Sequence, residues 1–196
     1  MKPIESDYKL NSVHFESSEG WVVGDYGAIL HNVDGGPIWT EQPIDSTPDL
    51  LKVYFLNTRL GWIVGRWGTI FRTTDGGKLW LVCTSNTGYD LESVYFMDSQ
   101  QGWIVGKYGI ILHSKNGGGT WETQISGVSN NLYGVYFENT KEGWIVGEGG
   151  VILATEDGGI NWTQEGSGVE NDLVDICYVD NNSLWAIGKN VIIRRK

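Results

Sequence analysis

Apolar and polar positions alternate in short runs along this chain, and the runs recur. Five stretches share the form L-x-x-[VI]-x-[FY]: Leu10 to Phe15, Leu50 to Phe55, Leu91 to Phe96, Leu132 to Phe137 and Leu173 to Tyr178. They are β-branched and aromatic and bounded by polar turns. This predicts a strand with apolar residues on both faces, covered from each side. A polar loop such as NTRL or DSQQ leads to a second strand, GWIVG, and a G-x-x-G hairpin turns the chain into a third, as in TIFR or IILH. A D-G-G turn follows, whose glycines tolerate the positive φ of a tight turn, and a fourth strand starts at a tryptophan, as in WETQ. No window sustains a 3.6-residue period, which excludes a helical solenoid.

The spacing is regular. Trp21, Trp62, Trp103, Trp144 and Trp185 step by 41 residues, as do Trp39, Trp80, Trp121 and Trp162. Four antiparallel strands per period predict one blade of a β-propeller. The fold class is therefore all-β: about five four-stranded blades in a single domain over residues 1–196. The fifth copy has strands one to three only, while residues 1–6 (MKPIES) resemble residues 41–46 (EQPIDS). The N-terminal residues 1–5 are thus expected to pair with the outer edge of the last blade and close the ring. Membership of a larger propeller is the competing account.

Composition narrows the function. A net charge of −10 over 196 residues argues against nucleic acid and anionic membrane surfaces, which need clustered Lys and Arg. The N-terminus MKPIESDYKL has no apolar run, so neither a signal peptide nor membrane insertion is expected. The chain as given reads as cytoplasmic, unless a leader has been removed. Cys83 and Cys177 occupy different places in the repeat and form no disulfide framework. The sequons at Asn161 and Asn181 read as chance in a chain without an export signal.

The turn before each fourth strand has the form [ST]-x-D-x-G-x-x-W. Thr73, Asp75, Gly77 and Trp80 match it, as do Thr155, Asp157, Gly159 and Trp162. The first copy has Asn32 ahead of Asp34, and the third has Asn116 in place of the aspartate. This is similar to the Asp-box (bacterial neuraminidase) repeat. A short carboxylate there can accept hydrogen bonds from the turn's own amides while the tryptophan packs between sheets. Asp34, Asp75, Asn116 and Asp157 are read as structural, because one carboxylate per blade cannot form a close catalytic pair. Sialidases carry such boxes, but their chemistry needs an arginine cluster, and the five arginines here stand at unrelated repeat positions.

The longer pattern, GW-[IV]-VG-x-x-G-x-[IL]-[LF]-x-T-x-DGG-x-x-W, resembles the photosystem II assembly and stability factor family over essentially the whole chain. Proteins of that family are seven-bladed, non-enzymatic propellers that assist the assembly of a membrane complex. The resemblance implies a scaffold that binds a protein partner and has no catalytic residues. This chain departs in having about five units and in lacking any run that matches the basic patch of family members.

The candidate binding face lies at the hairpin between strands two and three, opposite the Asp-box turns. Its variable residues are Asp25 and Tyr26, Arg66 and Trp67, Lys107 and Tyr108, Glu148 and Gly149, and Lys189 and Asn190. Trp67 is the only tryptophan outside the repeat, and with Tyr26 and Tyr108 it offers aromatics beside charges, which suit a protein partner or a sugar ring. His14 reads as a filler in the slot of Tyr54. His31, Arg72, His113, Ala154 and Arg195 share another slot, whose mixed company suggests a tolerant outer strand and not a metal site. No phosphate-cradling loop or converging ligand set is present, so no cofactor or metal is expected. Carbohydrate binding, or a fragment of a larger Asp-box glycoside hydrolase, are the alternatives to a protein-binding scaffold.

Overall fold

A computed structural model describes residues 7–42, 44, 48–179 and 183–195. Among them the chain forms five antiparallel sheets, four of four strands and one of three. It divides into two compact units, Met1–Asp90 and Leu91–Lys196. The first holds one sheet of β1 (Leu10–Glu16), β2 (Glu19–Gly24), β3 (Ile29–Asn32) and β4 (Thr40–Glu41). Its second sheet is β5 (Leu50–Phe55), β6 (Gly61–Gly65), β7 (Ile70–Thr73) and β8 (Leu81–Cys83). The second unit begins with β9 (Leu91–Phe96), β10 (Gly102–Gly106), β11 (Ile111–Ser114) and β12 (Glu122–Gln124). Next come β13 (Leu132–Phe137), β14 (Gly143–Gly147), β15 (Ile152–Thr155) and β16 (Thr163–Glu165), then β17 (Leu173–Val179), β18 (Ser183–Gly188) and β19 (Val191–Arg195). Each sheet pairs its strands in sequence order, the meander of a propeller blade. The closing strand expected of residues 1–5 lies outside the described residues.

The spacing L-x-x-V-x-F has a specific cause. In β5 the pairing register slips between Leu50 and Lys52, and β1, β9, β13 and β17 slip at the same place. One extra residue in a strand reverses the alternation beyond it. Leu50, Val53 and Phe55 thereby fall in one core cluster with Trp21, Val23 and Ile29 of the preceding sheet. This corrects the expectation that the motif's apolar residues divide between two faces. The second unit repeats the arrangement: Trp103, Val105 and Ile111 join Leu132, Val135 and Phe137. Trp144, Val146 and Ile152 likewise join Leu173 and Ile176. Within each unit, a sheet thus offers its Trp-Val-Ile face to the first strand of the next.

The glycine of the Gly-Trp pair serves that packing. A Cβ on Gly61 or Gly143 would come within 2.5 Å of ring carbons of Phe55 or Phe137, far inside van der Waals contact. Bare backbone there lets Phe55 stack on Trp21 at 3.6 Å and Phe137 on Trp103 at 3.5 Å. Leu184 takes this place in the last sheet, opposite Tyr178, whose ring stacks on Tyr136 at 5.7 Å and whose hydroxyl donates to Glu138 at 2.8 Å.

The last sheet also departs in register. Arg72 and His113 lie opposite Trp62 and Trp103, but the hairpin before β19 is one residue shorter, so Arg194 lies opposite Trp185. Arg194, and not Arg195, therefore occupies the shared slot.

Candidate functional site

The hairpins between second and third strands stand at the end of each sheet opposite the Asp-box turns. Four of them are single 3-10 turns: Asp25–Gly27, Arg66–Gly68, Lys107–Gly109 and Glu148–Gly150. The middle residue of each has positive φ: Tyr26 at 58°, Trp67 at 57°, Tyr108 at 56° and Gly149 at 67°. Glycine adopts that conformation freely, whereas a side chain costs about 1 kcal/mol or more there. Tyr26, Trp67 and Tyr108 bear this cost without burial in return, being 74%, 72% and 67% exposed.

A residue that sequence reading passed over fastens each turn. In the first unit the Asp49 carboxylate accepts the Tyr26 amide at 3.0 Å and pairs with Arg66 Nε at 2.9 Å, tying two hairpins together. Asp90 accepts the Trp67 amide at 3.1 Å and stands 3.6 Å from the Arg66 guanidinium. Asp25 accepts from Asn11 Nδ2 at 2.7 Å. In the second unit Asn131 accepts the Tyr108 amide at 3.2 Å and donates its own to Glu148 at 3.1 Å, while Asp172 accepts from Gly149 at 2.9 Å. Lys107 lies 3.2 Å from Glu92 and 5.3 Å from the centre of the Tyr133 ring. The signal was present in the sequence: an Asp or Asn stands immediately before the leucine of units two to five, at positions 49, 90, 131 and 172. In the first unit, then, Arg66 is held between Asp49 and Asp90, two carboxylates about one guanidinium, and the exposed rings of Tyr26 and Trp67 stand on the turns those carboxylates fasten.

At the opposite ends, the box residues bond their own turns. Asp75 accepts the Leu79 amide at 3.0 Å and the Thr73 hydroxyl at 2.8 Å, and Thr73 accepts the Gly77 amide at 2.9 Å. Asp157 accepts the Asn161 amide at 2.9 Å and its side-chain amide at 2.7 Å. These amide bonds hold both carboxyls below their ordinary pKa. Asn116 accepts the Thr120 amide at 2.9 Å in the same way, and Asp34 the Gly36 amide at 2.8 Å.

The histidine slot is less tolerant than its mixed company suggested. His31 stacks on Trp21 at 4.9 Å and His113 on Trp103 at 4.6 Å, and the Arg194 guanidinium lies 5.5 Å from the Trp185 ring. Burial pulls the His113 pKa down to about 4, with His113 Nε2 2.9 Å from Gln101 Oε1. His14 meets Tyr54 edge-on at 5.3 Å. No group of three or more His, Cys, Asp or Glu that could hold a metal occurs among the described residues. No helix among them is long and apolar enough to cross a membrane.

The family model described as photosynthesis system II assembly factor YCF48 matches residues 2–48, 39–126 and 121–195. The photosystem II assembly lipoprotein Ycf48 of Synechococcus sp. (strain CC9902) is 41% identical over 44 residues, 22% of this chain and 13% of that protein. Among solved structures, YCF48 from Cyanidioschyzon merolae superposes with a TM-score of 0.73 at 19% identity, covering 94% of this chain and 65% of that one. A YCF48 structure bound to D1 peptide gives 0.54 at 22%, covering 100% and 80%. Enzymes share the fold as well: virginiamycin B lyase from Staphylococcus aureus gives 0.80 at 14% identity, covering 97% and 71%. The match thus spans a small part of the curated relative and just under two thirds of the Cyanidioschyzon chain. With three overlapping matches running from residue 2 to residue 195, the chain belongs to the Ycf48 family of photosystem II assembly factors.

Proposed function

We propose that this chain is a non-enzymatic, protein-binding propeller domain over residues 1–196, which holds an extended segment of a client on its hairpin ends. The carrying observation is Trp67: a residue 72% exposed, on left-handed backbone, whose amide donates to Asp90 and whose neighbour Arg66 is paired with Asp49. Strain kept at an exposed aromatic is a feature of recognition surfaces. Two carboxylates around one guanidinium leave net negative charge, which favours a client segment that sets a cationic or apolar side chain against the Trp67 and Tyr26 rings. The D1 peptide in the solved relative makes a D1 segment the first probe. The cytoplasmic location read from the sequence belongs to the same proposal, beside a relative whose name is lipoprotein.

A lectin would repeat its platform, yet the hairpins carry Tyr26, Trp67, Tyr108, Gly149 and Asn190 in turn, which favours one asymmetric protein partner. The test is Trp67→Gly, which relieves the positive φ. It is expected to keep or raise Tm while weakening a fluorescent D1 peptide by about tenfold, the scale of a lost aromatic anchor. Unchanged peptide affinity in a folded variant removes this face, and a hit on a glycan array in place of the peptide overturns the protein reading.

A further inference from the structure

Asn116 is followed by Gly117, and no other Asn-Gly pair occurs in the chain. In an open chain this pair reacts with itself. The glycine nitrogen, once it gives up its proton, attacks the carbonyl carbon of the asparagine side chain. A new C–N bond forms there, the carboxamide C–N bond breaks, and ammonia leaves. Water then opens the cyclic imide at either carbonyl, which yields aspartate or isoaspartate. Glycine eases the closure because no Cβ crowds its nitrogen.

The third box turn holds both reacting groups out of place. Gly117 is buried, and its N–H donates to the Gln100 carbonyl at 2.9 Å. An amide so placed keeps its proton, since the nitrogen anion would be desolvated and would lose that bond. The carboxamide points the other way along the chain. Its Oδ1 accepts the Thr120 amide at 2.9 Å and the Ser114 hydroxyl at 3.0 Å, while its Nδ2 donates to Thr120 Oγ1 at 2.9 Å. It thus lies over Gly119, where an added Cβ would stand 3.4 Å from Asn116 Cγ. The Ser114 hydroxyl also accepts the Gly118 amide at 2.8 Å, so one side chain fastens the turn at two points.

We propose that Asn116–Gly117 is a deamidation site closed by its own turn, at which conversion to aspartate follows local opening of the third box. Aspartate is the residue that this turn takes at positions 34, 75 and 157. The Thr120 amide that Asn116 already holds can serve a carboxylate as the Leu79 amide serves Asp75. Isoaspartate runs the main chain through the former side chain, adds a backbone carbon and cannot form the turn.

Peptide mapping by mass follows the amide-to-acid change at Asn116, at mildly alkaline pH, in native buffer and in guanidinium chloride. Loss should be about tenfold or more faster in denaturant, because about 1.4 kcal/mol of opening free energy already gives that factor. Ser114→Ala should speed the native reaction about fivefold, the factor that one lost hydrogen bond carries, and leave the rate in denaturant unchanged. Asp75→Asn makes a second Asn-Gly pair in a turn whose Gly76 N–H donates to the Arg59 carbonyl at 3.0 Å, and it should be protected in the same way. That variant decides the matter should Ser114→Ala lose its far-UV strand signal. Equal rates in native buffer and denaturant, at either pair, overturn the proposal. So does a folded Ser114→Ala variant with the parent's native rate.

Discussion

At the scale of single residues, planar side chains on tryptophan explain much that the repeat obscures. His31 and His113 look interchangeable with Arg72 and Ala154 until their rings are seen lying on tryptophans. Where Ala154 leaves that slot small, the Arg195 guanidinium lies 5.4 Å from the Trp144 ring and pairs with Glu165 at 2.7 Å. His113 carries a pH signature. Its folded pKa of about 4 lies below the ordinary 6.5, because burial disfavours its charged form. The unfolded chain therefore binds the extra proton between those values, and stability is lost as pH falls through that window. His14, also lowered by burial, acts in the same direction. His113→Phe keeps the stack on Trp103 and removes the titration. Its Tm should fall less steeply than the parent's from pH 6.5 to 4; parallel slopes would show that His113 does not titrate there.

At the scale of elements, the Asp-box is a hydrogen-bonded turn in which an oxygen matters and a charge matters little. Asn116 makes the bond to Thr120 that Asp75 makes to Leu79. Asp75→Asn should therefore cost little in urea unfolding, while Asp75→Ala should cost about 1 kcal/mol, the usual net worth of a lost hydrogen bond. Equal losses for both variants would make the charge the stabilising feature. Strand order and blade packing were legible because period, glycine turns and tryptophans repeat with the contacts they make. The bulge was hidden, since L-x-x-V-x-F fits two faces as well as one until pairing is known. The Asx residues at 49, 90, 131 and 172 were hidden because they precede the strand motif and resemble ordinary loop polarity. Their role shows only through turns brought close by packing, as Asp49 does for Tyr26 and Arg66.

At the scale of the molecule, net charge sets how a client should respond to salt. The chain carries a net charge of −10, so a cationic segment is attracted before it reaches the hairpins. Raising salt shortens the Debye length from about 20 Å at 20 mM to about 4 Å at 500 mM and removes most of that attraction. A client drawn by a cationic side chain toward Asp49 and Asp90 should therefore bind more weakly over that range. Peptide anisotropy in one salt series reads the slope. An affinity that holds or rises with salt would mean that apolar contact with the Tyr26 and Trp67 rings draws the client, and the cationic reading would be wrong.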